Sequence, residues 1–365
     1  MFDFIPVEIY TSLHYTILLL IALVILTHAM SKNLYDVDSI QFFNGLGIVV
    51  VIWYTLYMGQ RQISGRYFGD TANYNKAYLL LQSGKEMIVE KDYFFNYLMM
   101  LCSKLMPVRS FFQLIDILYI IPCILFSKKY FGRFWFFCFF MFIASFSFWT
   151  YGVNGLRNGL GTAFFILGLY YYPKRLWMYG CFILGYFMHA SIIIPIAAFI
   201  VSGLYKNPKI YLLIWLLAIP LSLAGGSSWN EFFSSLGFAE DRTQGYLTGG
   251  SEEYNDQFSQ TGFRWDFVLY SASAIFAGWY FIFKKKITDT FYIHLFGTYC
   301  IANAFWILVI TAAFSNRFAY LSWFLMPMVI AYPMFRYKLW DNQYKVIGVV
   351  ILAYFSFTYF MNVIL

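Results

Sequence analysis

"YGVNGLRNGLGTAFFILGLYYY" (Tyr151–Tyr172) sets one arginine, Arg157, between two Asn-Gly pairs at the start of an apolar run. A guanidinium at the edge of hydrocarbon is costly and marks a partner or a ligand. Which it is depends on the membrane face Arg157 looks toward, and the basic residues of the whole chain decide that face.

The chain has 365 residues, 61% of them apolar and 12% charged, where soluble domains carry about 25% charged residues. Apolar segments recur from end to end, many of them long enough for the roughly 30 Å of hydrocarbon. The expected fold class is an all-α polytopic membrane protein, with about 11–12 transmembrane helices and one re-entrant or interfacial segment. No hydrophilic stretch is long enough to bury a core of its own, so residues 1–365 are read as a single integral membrane domain. Asp3 and Glu8, and no base, precede the first apolar segment, and a second follows at once. It reads as a retained helix rather than a cleaved signal peptide. Cys102, Cys123, Cys138, Cys181 and Cys300 all fall within apolar segments, with no CxxC spacing. They read as small buried residues, not as a disulfide framework or a metal knuckle.

Candidate spans lie near 13–30, 40–58, 110–127, 133–151, 158–172, 176–189, 191–204, 209–224, 265–283, 291–313, 318–335 and 345–363. Lys and Arg favour cytoplasmic loops. With both termini outside, the inner loops hold 14 of the 25 bases against four acids (Asp36, Asp38, Asp289 and Asp341). The formal charge of +7 is therefore an orientation signal, and nucleic-acid binding is excluded. "DYFFNYLMMLCSKLM" (Asp92–Met106) is apolar but short, and parity makes it interfacial or re-entrant. Leu176–Gly203 lies between two basic inner loops, so it either crosses twice in short lengths, breaking near His189 and Pro195, or fails to cross. Broken helices at membrane depth are tolerated where they line a watery cavity. The outer loops are about 59–109 and 225–263. The second is rich in Gly, Ser, aromatics and acids, and long enough to act as a lid.

On this topology the unusual polar residues gather on the outer face: Arg66, Asp70, Thr71 and Tyr74 in "GRYFGDTANYN", Arg157, His189, Asp241 and Arg242, Arg264 and Asp266 in "FRWDF", and Asn316 and Arg317 in "SNRFAY". Any one such arginine commonly snorkels to lipid headgroups. As a set, Arg157, Arg264 and Arg317 say more, because three inward-running helices begin with Arg, not Lys, on the face that orientation should deplete of bases. The planar guanidinium matches phosphate oxygens bidentately, and a helix N-terminus adds free N–H groups. Together they suit a diphosphate.

A lone His on an apolar helix is more often a satisfied core residue than a catalyst. His189 is distinguished by its position at an outer helix break, at the depth of Arg157, where a neutral imidazole can accept a proton from a sugar hydroxyl. His14, His28 and His294 are given no role. Asp70 and Asp266 read as ion partners of Arg66 and Arg264, or as a general base or sugar ligands. Asp116 is an intramembrane carboxylate, a functional candidate that equally serves as a helix–helix hydrogen-bond partner. Trp229, Tyr246, Tyr254 and Trp265 lie in outer loops where sugar rings can stack. The chain has no Walker loop, GxGxxG, HExxH, CxxC pair, GxSxG or outward acidic cluster. No metal and no cofactor is expected, and the substrate must carry its own activation.

"RYFGDTANYN", the "NGLRNGLGTAFFILGLYY…KR…GYFMHASIIIPI" block, "GFRWDF" and "SNRFAYLSWFLMP" resemble the EpsG-type, Wzy-like bacterial polysaccharide polymerases, over most of the chain. The resemblance implies a lipid-donor, GT-C-like glycosyltransferase bundle in the bacterial inner membrane. Its activity would be the polymerisation of O-antigen or exopolysaccharide repeat units at the periplasmic face. Donor and acceptor would both be undecaprenyl-diphosphate-linked glycans, in a metal-independent inverting transfer. A flippase and a chain-length regulator would be protein partners, with membrane lipids around them. The matching positions are Arg66, Asp70, Arg157, His189, Arg264, Asp266 and Arg317. On this reading His189, Asp70 and Arg157 are catalytic, and Arg66, Tyr74, Arg242, Arg264, Asp266, Asn316 and Arg317 bind substrate. A ligase or another membrane transferase would use such an Arg–His set equally well. A flippase would need an internal polar pathway and a repeated architecture.

Overall fold

A computed structural model of the chain describes residues 2–233, 262–312 and 315–365, and among these there is no strand. Backbone polar groups in lipid must be satisfied within their own segment, and a helix does this. The first helices are α1 (Val7–Ser31), α2 (Val37–Gly59), α3 (Gly65–Phe68), α4 (Thr71–Gln82), α5 (Tyr93–Ser103) and α6 (Val108–Phe131). Then come α7 (Trp135–Ile143), α8 (Phe146–Val153), α9 (Leu156–Tyr170), α10 (Arg175–Met188), α11 (Ile193–Leu204) and α12 (Pro208–Gly225). The last are α13 (Ser228–Phe233), α14 (Trp265–Trp279), α15 (Thr290–Leu308), α16 (Ser315–Trp323), α17 (Met326–Arg336) and α18 (Gln343–Tyr359). They form two compact units: Met1–Ile192 with Met334–Leu365, and Ile193–Pro333.

In the first unit α1 and α2 are pinned by reciprocal bonds, Tyr10 to the Tyr57 carbonyl at 2.5 Å and Tyr57 to the Tyr10 carbonyl at 2.8 Å. Gly348 brings α18 against α1, where a Cβ would meet that of Ala29 at 2.8 Å. The chain reverses after α6 at Gly132, whose φ of +54° is open to glycine. α7 and α8 then run back along α6. Phe126 meets Phe142 at 6.0 Å and Tyr119 meets Phe148 at 4.6 Å between ring centroids. α9 turns again, so that Tyr130 of α6 donates to the Leu169 carbonyl at 2.9 Å. α10 returns beside α9 so closely that a Cβ on Gly185 would lie 2.9 Å from the Gly161 carbonyl oxygen.

These contacts sort the loops of the first unit onto two ends. Tyr35 packs on Phe134 at 5.0 Å, Phe134 on Phe335 at 5.6 Å, and Gln343 donates to the Tyr35 hydroxyl at 2.8 Å. One end thus collects the segments bearing Lys32, Arg133, Arg336, Lys338 and Lys345, as the distribution of bases requires. At the other end Arg109 pairs with Asp3 at 2.7 Å, and the Asp70 amide donates to Asn154 at 2.7 Å.

Beneath that second end lies a buried ion pair. Arg61 follows α2 and meets Asp116 of α6 at 3.1 Å, both side chains 0% exposed. Nη1 also donates to the Met58 carbonyl at 2.7 Å, and Nη2 to the Val153 carbonyl at 3.1 Å and the Thr71 hydroxyl at 3.2 Å. Thr71 also donates to the Val153 carbonyl. One guanidinium therefore ties α2, α4, α6 and α8 together. Asp116, read from sequence as a functional candidate or a helix–helix partner, is the partner of this arginine.

The second unit is held by a buried polar hub. Asn303 of α15 accepts from Trp215 of α12 at 2.7 Å and donates to Ser322 of α16 at 2.9 Å and Ser271 of α14 at 3.2 Å. Trp323 donates to the same Ser271 hydroxyl at 2.7 Å. Polar side chains of this kind bind helices together where lipid gives no hydrophobic drive to association. His294 bonds the Phe199 carbonyl at 2.6 Å, a structural contact.

Among the described residues, eight helical stretches are long and apolar enough to cross a membrane. One of them, Val108–Ile143, is two limbs folded at Gly132. The expected spans 158–172, 176–189 and 191–204 fall on shorter helices, and 133–151 is split at Ala144–Ser145. Hydropathy continues across these breaks, so the apolar runs read as longer than the helices are. The segment after Asp92 is an 11-residue helix, about 16 Å long and too short to cross. Residues 59–109, expected as an outer loop, carry α3, α4 and α5, while 234–261 of the other expected loop lie outside the described residues.

Removing one partner of a buried ion pair strands the other charge, at about 3–5 kcal/mol. Asp116→Ala should therefore lower the melting temperature of the purified protein sharply. The double variant Arg61→Met with Asp116→Leu should recover most of the loss.

Candidate functional site

Arg157 is the second residue of α9, at the end of the first unit opposite the basic loops. The turn that places it is tight, since a Cβ on Gly159 would sit 2.7 Å from the Tyr151 carbonyl oxygen. The guanidinium donates through Nη1 to Asp92 Oδ2 at 2.5 Å and through Nε to the Tyr74 hydroxyl at 3.2 Å. Arg157 keeps 22% of its side chain exposed, while that of Asp92 is fully buried. Asp92 stands just before α5 in the left-handed region, φ 50° and ψ 44°, which is sparsely populated by non-glycine residues. Burial raises its carboxyl above the usual carboxylate range, although Arg157 and the backbone amide of Ala190 pull the other way.

That amide belongs to the break between α10 and the helix that follows. His189 is extended, φ −160° and ψ 126°, and a short turn Ala190–Ile192 succeeds it. His189 Nδ1 lies 2.8 Å from the Ser191 hydroxyl, which donates to Asn158 Oδ1 at 2.8 Å. Asn158 is the neighbour of Arg157. With the Ser191 proton on Asn158, a protonated Nδ1 donates to Ser191 and leaves the lone pair on Nε2, the tautomer a general base needs. The Ser191 amide also faces Nδ1, at 3.2 Å, and serves the other tautomer. Nδ1 therefore has a partner in both tautomers, an arrangement suited to proton exchange at Nε2.

The structure thus brings Tyr74, Arg157 and His189 together, joined by Asp92, Asn158 and Ser191, which the sequence reading did not single out. Asp92 carried a legible signal, an acid opening an apolar segment, the same mark that singled out Arg157. Asp70 sits one turn before Tyr74 and accepts from Asn73 at 3.0 Å. Arg66 is exposed, its guanidinium 5.4 Å from the Tyr67 ring centroid. In the second unit Arg264 grips Asp266 with two bonds, of 2.9 and 2.5 Å, and lies 4.1 Å from the Phe267 ring centroid. The sequence reading of these two as ion partners matches this contact. Asn316 donates to Tyr320 at 3.2 Å, and Arg317 is exposed at the start of α16. Trp229 donates its indole N–H to the Leu221 carbonyl at 2.8 Å, and Trp265 is exposed. Asp241, Arg242, Tyr246 and Tyr254 lie outside the described residues.

Fold and site define a multi-pass membrane protein that sets a guanidinium–carboxylate pair beside a hydrogen-bonded imidazole at one end of a helical unit. The model of the EpsG family matches residues 46–365, and the chain belongs to that family of polysaccharide-polymerase-like membrane proteins. No curated protein and no solved structure matches the chain.

The site depends on α9 and α10 staying in contact. With cysteines at positions 158 and 191, a short thiol–thiol reagent should cross-link the two, against a background of native cysteines that are all buried. Adding Gly185→Val should abolish the cross-link by forcing the helices apart.

Proposed function

We propose that this chain polymerises oligosaccharide repeat units carried on undecaprenyl diphosphate, at the periplasmic face of the bacterial inner membrane. The observation that carries the reading is the shared end of α9 and α10, where Arg157 lies within a few hydrogen bonds of His189. The transfer needs two things from the protein: a base for the acceptor hydroxyl and a positive site for the departing diphosphate. His189 takes the proton at Nε2 as the acceptor oxygen attacks the anomeric carbon of the donor glycan. The bond from that carbon to the diphosphate oxygen breaks with inversion. Arg157, with the N-terminus of α9 behind it, neutralises the leaving diphosphate, where fixed charge in a site of low dielectric is most effective. Tyr74 holds the guanidinium, and Ser191 with Asn158 holds the imidazole. Asp70 is the alternative base, one helical turn from Tyr74. Arg66, Arg264, Asp266, Asn316, Arg317 and, outside the described residues, Arg242 are candidate contacts to glycan or phosphate. A delivering flippase and a chain-length regulator complete the proposed setting.

Membership of the EpsG family supports the polymerase reading, and the basic loops gathered at the far end of the first unit support the orientation. Reconstitution with purified lipid-linked repeat unit tests it. The wild-type protein should yield a ladder of lengthening lipid-linked chains. Arg157→Lys keeps the charge but not the planar fork. It should lower chain extension by about 10²–10³-fold, the usual cost of losing one preorganised donor to developing negative charge, at unchanged protein level. A ladder of normal rate and length from that variant would contradict the diphosphate role.

A further inference from the structure

We propose that Asp92 is a resident anion. Its carboxylate holds the place of a substrate phosphate on Arg157 and, when the diphosphate arrives, moves to the N-terminus of α5. The inference rests on the reading of Arg157 as the diphosphate group, and adds how that group is kept and released.

The surroundings of the carboxylate are those of an anion site. Arg157 Nη1 reaches it at 2.5 Å, and the side chain has no exposed surface. Arg157 itself lies in the first turn of α9, where helix N–H groups favour negative charge. A largely buried guanidinium without an anion is destabilised. The Asp92 carboxylate, from the start of α5, satisfies that demand in the structure.

A second place for the carboxylate already exists. Asp92 occupies the N-cap position of α5, and its side chain makes no capping bond there. Aspartate is among the preferred residues at that position because its side chain accepts from the second or third amide of the helix. Here the side chain is drawn to Arg157 instead, and the backbone takes the left-handed conformation, φ 50°, that a branched-off aspartate adopts at some cost. Release from Arg157 lets the residue relax to an ordinary cap, where the helix N-terminus receives its charge. The substrate diphosphate therefore replaces the single charge of the carboxylate on Arg157 with its own, and the returning carboxylate helps to expel the product diphosphate.

Titration of the full-length, detergent-solubilised protein with inorganic pyrophosphate tests this. Asp92→Asn keeps the shape and removes the charge, so it should bind pyrophosphate at least tenfold more tightly than wild type. In chain extension the same variant should lower KM and kcat together, whereas a merely structural role would reduce the amount of folded protein. Should Asp92→Asn not fold, Asp92→Ser, which can still cap α5 but carries no charge, must show the same tightening. Unchanged or weaker pyrophosphate binding by a folded, charge-free variant overturns the inference and leaves the role of Arg157 standing. Equal pyrophosphate binding by wild type and Arg157→Gln instead removes the role of Arg157 itself.

Discussion

A guanidinium taken out of water must bring a negative partner with it, because the desolvation cost of an isolated charge is several kcal/mol. The first unit meets this requirement twice, and the two solutions differ in a way that separates scaffold from site. Arg61 is wholly buried, its two Nη groups on one carboxylate, two carbonyls and a hydroxyl. Arg157, whose partners include a carboxylate and a phenol, keeps part of its surface open. The first arrangement fixes where four helices lie. The second, on the proposed function, holds an arginine ready for another anion.

The two are mechanically linked. Arg61 and Thr71 both bond the Val153 carbonyl at the end of α8, four residues before Arg157. Thr71 opens α4, which carries Tyr74 one turn later. The buried pair therefore sets the positions of both Arg157 and the phenol that steadies it. On the other side, α9 and α10 approach through Gly161, Gly168 and Gly185, which brings His189 to the level of Arg157. Shortness is part of the design. α9 and α10 have 15 and 14 residues, so their ends stop below the full span and leave irregular backbone, with its amides and carbonyls, at the site. Such backbone is tolerated at depth where it is buried in protein or lines a polar cavity.

Much of this was legible in the sequence. Continuous hydrophobicity identified the membrane class, and the placement of Lys and Arg grouped the loops onto the ends the first unit displays. Arg157 and His189 stood out as polar residues where apolar helices begin and break, and the structure sets both at one end. Their partners were harder to read. Asp92 is 65 residues from Arg157 and Asp116 is 55 from Arg61, so each pairing depends on how helices stack, which a local pattern does not record. Arg61 looked like one more loop base. Helix length was also hidden, because "FWFFCFFMFIASFSFW" stays apolar straight through the break at Ala144–Ser145. A span is read from transfer energy, whereas a break is a matter of backbone geometry.

The central claim is that Arg157 receives a lipid-borne diphosphate. Phosphorus NMR of undecaprenyl diphosphate in nanodiscs with the full-length protein addresses it most directly. The account predicts that both phosphorus resonances shift on adding wild-type protein and return to the protein-free position with Arg157→Gln. Identical shifts from the two proteins would contradict it.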